Sequence, residues 1–243
     1  MTAEAGLSAA ATRCTKPTHS IDEGEILNED TAALTPEDIT ALFTRSDGQY
    51  FCARWGRPLA PIVFGVADET LSVVKGAFEA ICALTGHKMT EHDPELGTNL
   101  MMFFVRDWAE LRDVPDLDRL VDGLPALVDR LEEARAHQHR SFRFDTNGSV
   151  KACFVFLRID DELAEMSAEA LALGQAVQSM LVWSDTAFAE RSPLARVGET
   201  IVLRSEIASV LQAAYDPILP PVAQDNSHAL RVFARANAEA PRS

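Results

Sequence analysis

Seven consecutive residues, Asn-Leu-Met-Met-Phe-Phe-Val at 99–105, constrain the fold more than any other feature of the chain. The run has the length of a strand, and it lacks the apolar-polar alternation of a sheet with one wet face. Both of its faces must therefore be covered. Such a strand is central, with other strands beside it and helices packed above and below. The composition can supply them: of 243 residues, 47% are hydrophobic and 24% charged. That is enough for one sizeable core that needs neither disulfide nor metal.

The rest of the chain provides the partners. Residues 50–55 and 61–66 are short apolar or alternating runs bounded by Gly and Pro, the signature of strands. Leu71, Val74, Phe78 and Ile81 recur at helical spacing after Asp68, a candidate cap, and before Gly86, a stop. Pro115, Gly123 and Pro125 divide 108–136 into two or three short helices. Segments 141–145 and 150–159 flank Asn147-Gly148, which predicts a hairpin closed by a type I′ turn. A helix with Ala170, Leu173, Val177, Met180 and Leu181 on one stripe follows. A last helix, capped by Ser205, carries Ile207, Val210, Leu211 and Ala214 and stops at Pro217.

This order predicts an α+β domain, a mixed or antiparallel sheet with helices packed on it. Thr35-Pro36-Glu37-Asp38 has the composition of a helix start and opens the domain, which is expected over 35–220. A flexible acidic segment, 1–34, with few large apolar residues, precedes it. A peripheral tail, 221–243, follows.

Twenty-two basic against 37 acidic residues leave a net charge of −15, which repels phosphate backbones and anionic membrane surfaces. Nucleic-acid binding is not expected. No apolar run approaches the roughly 18–20 residues of a membrane helix. Cys14, Cys52, Cys82 and Cys153 are scattered and read as reduced thiols, and residues 1–12 lack the basic and apolar regions of a secretory signal. The expected compartment is the cytoplasm.

The sequence carries no Gly-rich phosphate loop, no dinucleotide fingerprint and no Gly-x-Ser-x-Gly elbow. His87 and His92 are five apart beyond the Gly86 stop, so they do not share a helix face as metal-binding pairs four apart do. A solvated loop is the simpler reading. His137 and His139 alternate along a strand, and His19 and His228 fall in segments expected to be flexible. Asp160, Asp161, Glu162 and Glu165 precede a helix, where negative charge stabilises its start; a catalytic pair is the alternative. No metal and no cofactor is expected.

The most suggestive stretch is 174–185. On a helix, Gln175 and Gln178 share one flank beside the apolar stripe, and two amides there require partners. Trp183, Ser184 and Asp185 follow where the helix ends and a loop begins. These five residues are the candidate ligand or partner contacts, because amides fix orientation in largely apolar pockets.

Arg54-Trp55 followed by a Pro and a strand, Leu84-Thr85-Gly86 at a helix end, Asn99-Leu100, the 178–185 segment and Tyr215-Asp216-Pro217 together resemble an uncharacterised bacterial family of domains of unknown function. That family is distantly similar to the zincins, metallopeptidases in which a helix below a mixed sheet carries the active-site residues, and its members are often exported. The likeness spans most of 49–219. It implies a zincin-like scaffold, yet Gly174 and Gln175 stand where such a helix would carry His and Glu. Glycine offers zinc no ligand, and an amide is no general base. The expectation is a non-catalytic binding or assembly domain on a degenerate scaffold, with an unknown protein or small molecule as partner. A hydrolase using His87, His92 or the Asp160 cluster, and a structural accessory subunit, are the alternatives.

Overall fold

The computed structural model describes residues 11–12 and 34–238. The chain order is β1 (Ala11–Thr12), α1 (Pro36–Phe43), β2 (Cys52–Ala53), β3 (Pro61–Phe64), α2 (Asp68–Thr85) and β4 (Leu100–Val105). A 3-10 helix (Trp108–Asp113), α3 (Leu117–Leu120) and α4 (Leu124–Glu133) lead to the hairpin β5 (Gln138–Phe144) and β6 (Val150–Arg158). Then come α5 (Asp161–Ala164), α6 (Ala168–Met180), a second hairpin β7 (Leu194–Val197) and β8 (Thr200–Leu203), α7 (Ser205–Tyr215), β9 (Val222–Ala223) and α8 (Ser227–Ala238).

The main sheet has the order β1-β5-β6-β4-β3, with β3, β4 and β6 parallel and β5 antiparallel to β6. The fold is α+β with a mixed sheet. As the uncharged run requires, β4 lies inside the sheet and is covered twice. Leu100, Met102 and Phe104 share one core with Val74, Phe78 and Ile81 of α2 and Val177 and Met180 of α6. Phe103 and Val105 share a second core with Trp108, Leu127 and Leu131 on the opposite face. Burying a large apolar side chain on either face stabilises the fold by about 1.5–3 kcal/mol.

Local chemistry sets most element ends. Thr35 and Asp38 form a reciprocal capping box at the start of α1, and Pro36 occupies its first turn. Gly86, with φ +66°, closes α2 in the left-handed conformation that favours glycine. Asp68 does not cap α2 but sits inside its first turn, and Ala67 is the N-cap. The β5–β6 hairpin forms as expected, although not through a type I′ turn. Among the described non-glycine residues only Asp116 and Arg135 have positive φ, so Asn147 cannot occupy such a turn. Instead Gly148, φ +82°, donates to Asp145 O and Asp145 donates to Ser149 O, a type I turn followed by a glycine bulge.

The C-terminal end of the domain differs from expectation. Residues 222–238, read as part of a peripheral tail, form β9, which pairs with β2, and α8, which buries His228, Ala229 and Val232 in the core shared with α1 and α7. His228 is thus a core residue. The expectation of flexibility over 1–34 falls mainly outside the described residues, apart from Ala11 and Thr12, which pair with Ser141 and Arg140 on the outer edge of β5, and Leu34. His19 and Cys14 also lie outside them. Cys52, Cys82 and Cys153 are free buried thiols, and burial pushes them up to about 12, 11 and 12. Among the described residues no helix is long and apolar enough to cross a membrane.

Candidate functional site

Gln175 and Gln178 do converge, on a guanidinium. Side chains alternate along β5, and Gln138 and Arg140 point to the face that α6 covers. There Gln175 Oε1 accepts from Arg140 Nη2, Gln178 Oε1 accepts from Arg140 Nη1 at 3.2 Å, and Gln175 Nε2 donates to Gln138 Oε1 at 2.8 Å. Gln175 is only 3% exposed. The amides that the sequence singles out fasten α6 to the sheet. Gln175→Ala is expected to lower the unfolding free energy by about 2 kcal/mol, and the less buried Gln178→Ala by about 1 kcal/mol, in chemical denaturation. Unchanged stability in both variants would free the pair for another role.

The zinc chemistry of the resembled family does not fit this helix. Gln175 already accepts from a cation, and a Cβ at Gly174 would face Leu194 of β7 at 3.7 Å, away from the amide cluster. Among the described residues no three His, Cys, Asp or Glu side chains are grouped as a metal ion would need.

Trp183, Ser184 and Asp185 lie elsewhere, against α1. The Trp183 ring stacks on Phe43 at 5.3 Å and its Nε1 donates to Val177 O at 3.1 Å. Ser184 donates from its backbone to Leu42 O and from its hydroxyl to Thr44 O, and Asp185 accepts from the Ser46 amide at 2.9 Å. Together they dock α1 and its following turn.

His87 and His92 are not brought together. The His87 ring bonds to Arg57 O at 3.0 Å and sits edge-on to Tyr215, whereas His92 is exposed near Gly97. Asp160 accepts from the Leu163 amide as the cap of α5 and pairs with His137 Nδ1 and Arg158 Nη2. Some of the residues that carry the resemblance, Arg54, Trp55, Ser179, Met180 and Tyr215, meet in a clasp. Arg54 donates to Tyr215 O and Leu219 O, Trp55 Nε1 donates to Ser179 O, and Tyr215 Oη donates to Met180 O. They lock β2 to the ends of α6 and α7.

Among the described residues, two concave surfaces lie away from these groups: a mainly polar one lined by Thr40, Arg45, Gly48, Tyr50 and Asp225, and a mainly apolar one beside α2 that the sequence does not signal. Leu71 belongs to the apolar stripe of α2, yet it is 41% exposed while Val74, Phe78 and Ile81 are buried. The stripe is uncovered at this point because β3 is the last strand of the sheet. A cleft of about 390 Å³ results, walled by Pro61 and Val63 of β3, by Leu71, Val74 and Phe78 of α2, and by Met89. Its rim carries Lys75, Glu79, Thr90 and Glu91. On the other face of the same strand Phe64 stacks on Phe103 and remains 43% exposed.

No family model, curated protein or solved structure matches this chain.

Proposed function

We propose that the chain is a non-catalytic binding domain, on a degenerate zincin-like scaffold, that takes apolar side chains of a partner into the cleft between α2 and β3. The observation that carries this reading is the uncovered apolar stripe. Leu71 and Val63 are at least partly exposed in a cleft large enough for two or three side chains, and ligand sites are characteristically concave and mostly apolar. The polar candidates of α6, by contrast, have partners within the fold. The three buried thiols suit a reducing compartment such as the cytoplasm.

The test is site-specific photo-crosslinking in cells. A benzophenone side chain at position 71 is expected to give a discrete adduct, and one at position 230, where Leu230 is 57% exposed on α8, is expected to give none. Absence of any adduct at 71, or the same adducts at both positions, would overturn the reading. A hydrolase using His87, His92 or Asp160 would require those groups to act together. Elemental analysis of the purified chain is expected to find well under one equivalent of zinc, and a tightly held equivalent would favour the hydrolase.

A further inference from the structure

The edge of β3 is a strand position that the chain begins to fill and then leaves. Leu59 donates to Lys88 O at 2.9 Å and accepts from Thr90 N at 2.7 Å, so residues 88–90 run parallel to the start of β3 as an outer strand. The next bond of such a ladder would run from the amide of residue 61 to Thr90 O. Residue 61 is proline and has no N–H to give. The outer strand stops there, and the chain bends away at Glu91.

Beyond that stop no described residue fills the position. Leu100 N donates to Ala60 O, and the register Pro61↔Leu100 to Phe64↔Phe103 then turns Ile62 and Phe64 towards β4 and Pro61 and Val63 outward. Three backbone groups face the cleft side: Pro61 C=O, Val63 N–H and Val63 C=O. The opposite edge of the sheet is different, because Ala11 and Thr12 pair with it.

We infer that this position is completed by an extended, basic peptide segment of a partner protein, added as a further strand on β3. This rests on the binding function proposed above. An added strand in either direction can bond all three outward groups. Its residues on one face would enter the cleft against Val74 and Phe78, and those on the other would cover Phe64, so apolar β-branched residues suit the centre.

Charge selects the flanks. Glu79 and Glu91 outnumber Lys75 at the rim, and Lys75 lies 3.9 Å from Glu79. A second copy of the chain brings a further −15, and the chain's own 13–33 carries five acidic against two basic residues. Both are disfavoured as occupants relative to a peptide with Lys or Arg at its ends.

The probe is a fluorescein-labelled heptapeptide, Lys-Val-Thr-Val-Thr-Val-Lys, titrated with the full chain by fluorescence anisotropy. Saturable binding is expected, at least tenfold weaker when both Lys are replaced by Glu. Val63→Pro deletes an outward N–H while leaving the ladder to β4 intact, and it is expected to weaken binding at least tenfold. Should Val63→Pro fail to fold, a peptide N-methylated on its central residues removes the same bonds from the partner's side and is expected to lose binding equally.

Binding unaffected by Val63→Pro or N-methylation, but abolished by Leu71→Glu, would overturn strand addition and leave the binding cleft standing. Equal affinity for the Glu-flanked peptide would overturn the basic partner. No binding of any peptide alongside a discrete adduct at position 71 would overturn this inference alone. No binding together with no adduct would overturn the proposed function as well.

Discussion

Between pH 6.5 and pH 4 the domain is expected to lose a large part of its stability, and three histidines, two buried and one half-buried, set that window. Burial pushes His139 down to about 4, with Arg140 and Arg130 adding to the effect, and its ring lies against Phe156. Burial does the same to His228, near Arg231 and Arg54; its Nδ1 bonds to Tyr50 Oη at 2.9 Å, and its Nε2 has no partner among the described residues. His87 is also held near 4, by burial first and by Arg54, against the opposing bond to Arg57 O. In the unfolded chain these rings take up a proton near 6.5. The unfolded state therefore binds more protons throughout the interval, so stability is fully present above 6.5 and is lost as the pH falls towards 4.

A difference of that size corresponds to at most about 3 kcal/mol per histidine, and to less for the partly exposed His87. The total is comparable with the roughly 5–15 kcal/mol that holds a domain folded. Urea midpoints measured at pH 7.5, 6 and 5 are expected to fall in that order, with a shallower slope for His139→Phe. A flat profile would show that the rings are not buried neutral.

Asp93→Ala is expected to destabilise the fold by about 3 kcal/mol. Its carboxylate is 2% exposed, accepts from the Glu95 and Leu96 amides at 2.9 and 2.8 Å and from Asn99 Nδ2 at 3.1 Å, and lies 3.5 Å from Arg57. Burial alone would raise its pKa, but the Leu96 and Glu95 amides, Asn99 and Arg57 hold the carboxyl below the usual carboxylate range. Removing it leaves the buried Asn99 Nδ2 and the Glu95 and Leu96 amides without this acceptor, while Arg57 keeps Glu95 and Asp145. Asn99 also accepts from Ala60 N and donates to Pro58 O, so the loss propagates to the start of β3. Asp93→Asn, whose Oδ1 still accepts from both amides but whose Nδ2 replaces the oxygen facing Asn99 and Arg57, is expected to recover part of the loss in the same denaturation experiment. Wild-type stability for Asp93→Ala would show that the loop is not held this way.

Much of the fold could be read from the residues, because burial on two faces leaves an uninterrupted apolar run and the β5–β6 turn needs Gly148. The C-terminal helix could not. Its buried face consists of His228, Ala229 and Val232, a weak apolar signal, while Leu230 points outward, and its docking depends on a bond to Tyr50 almost 180 residues away. The candidates on and after α6 were legible as residues that need partners, but the partners of Gln175 and Gln178 lie on β5 and those of Ser184 and Asp185 in α1 and the turn after it, which periodicity along α6 does not identify.

The cleft was hidden for a related reason. Leu71 has the spacing of a core residue, and only the strand order leaves it without a cover. Pro61 could be read as a strand boundary. Its role in ending the 88–90 ladder emerges once the register is known.

Amide hydrogen exchange at three consecutive residues tests the central claim most directly. In the free chain the amides of Ile62 and Phe64, bonded to β4, are expected to be protected, while Val63 between them exchanges fast. Adding the Lys-flanked heptapeptide should slow Val63 at least tenfold and leave Ile62 and Phe64 unchanged. A Val63 amide already protected in the free chain, or unaffected at saturating peptide, would contradict an open strand position at the edge of β3.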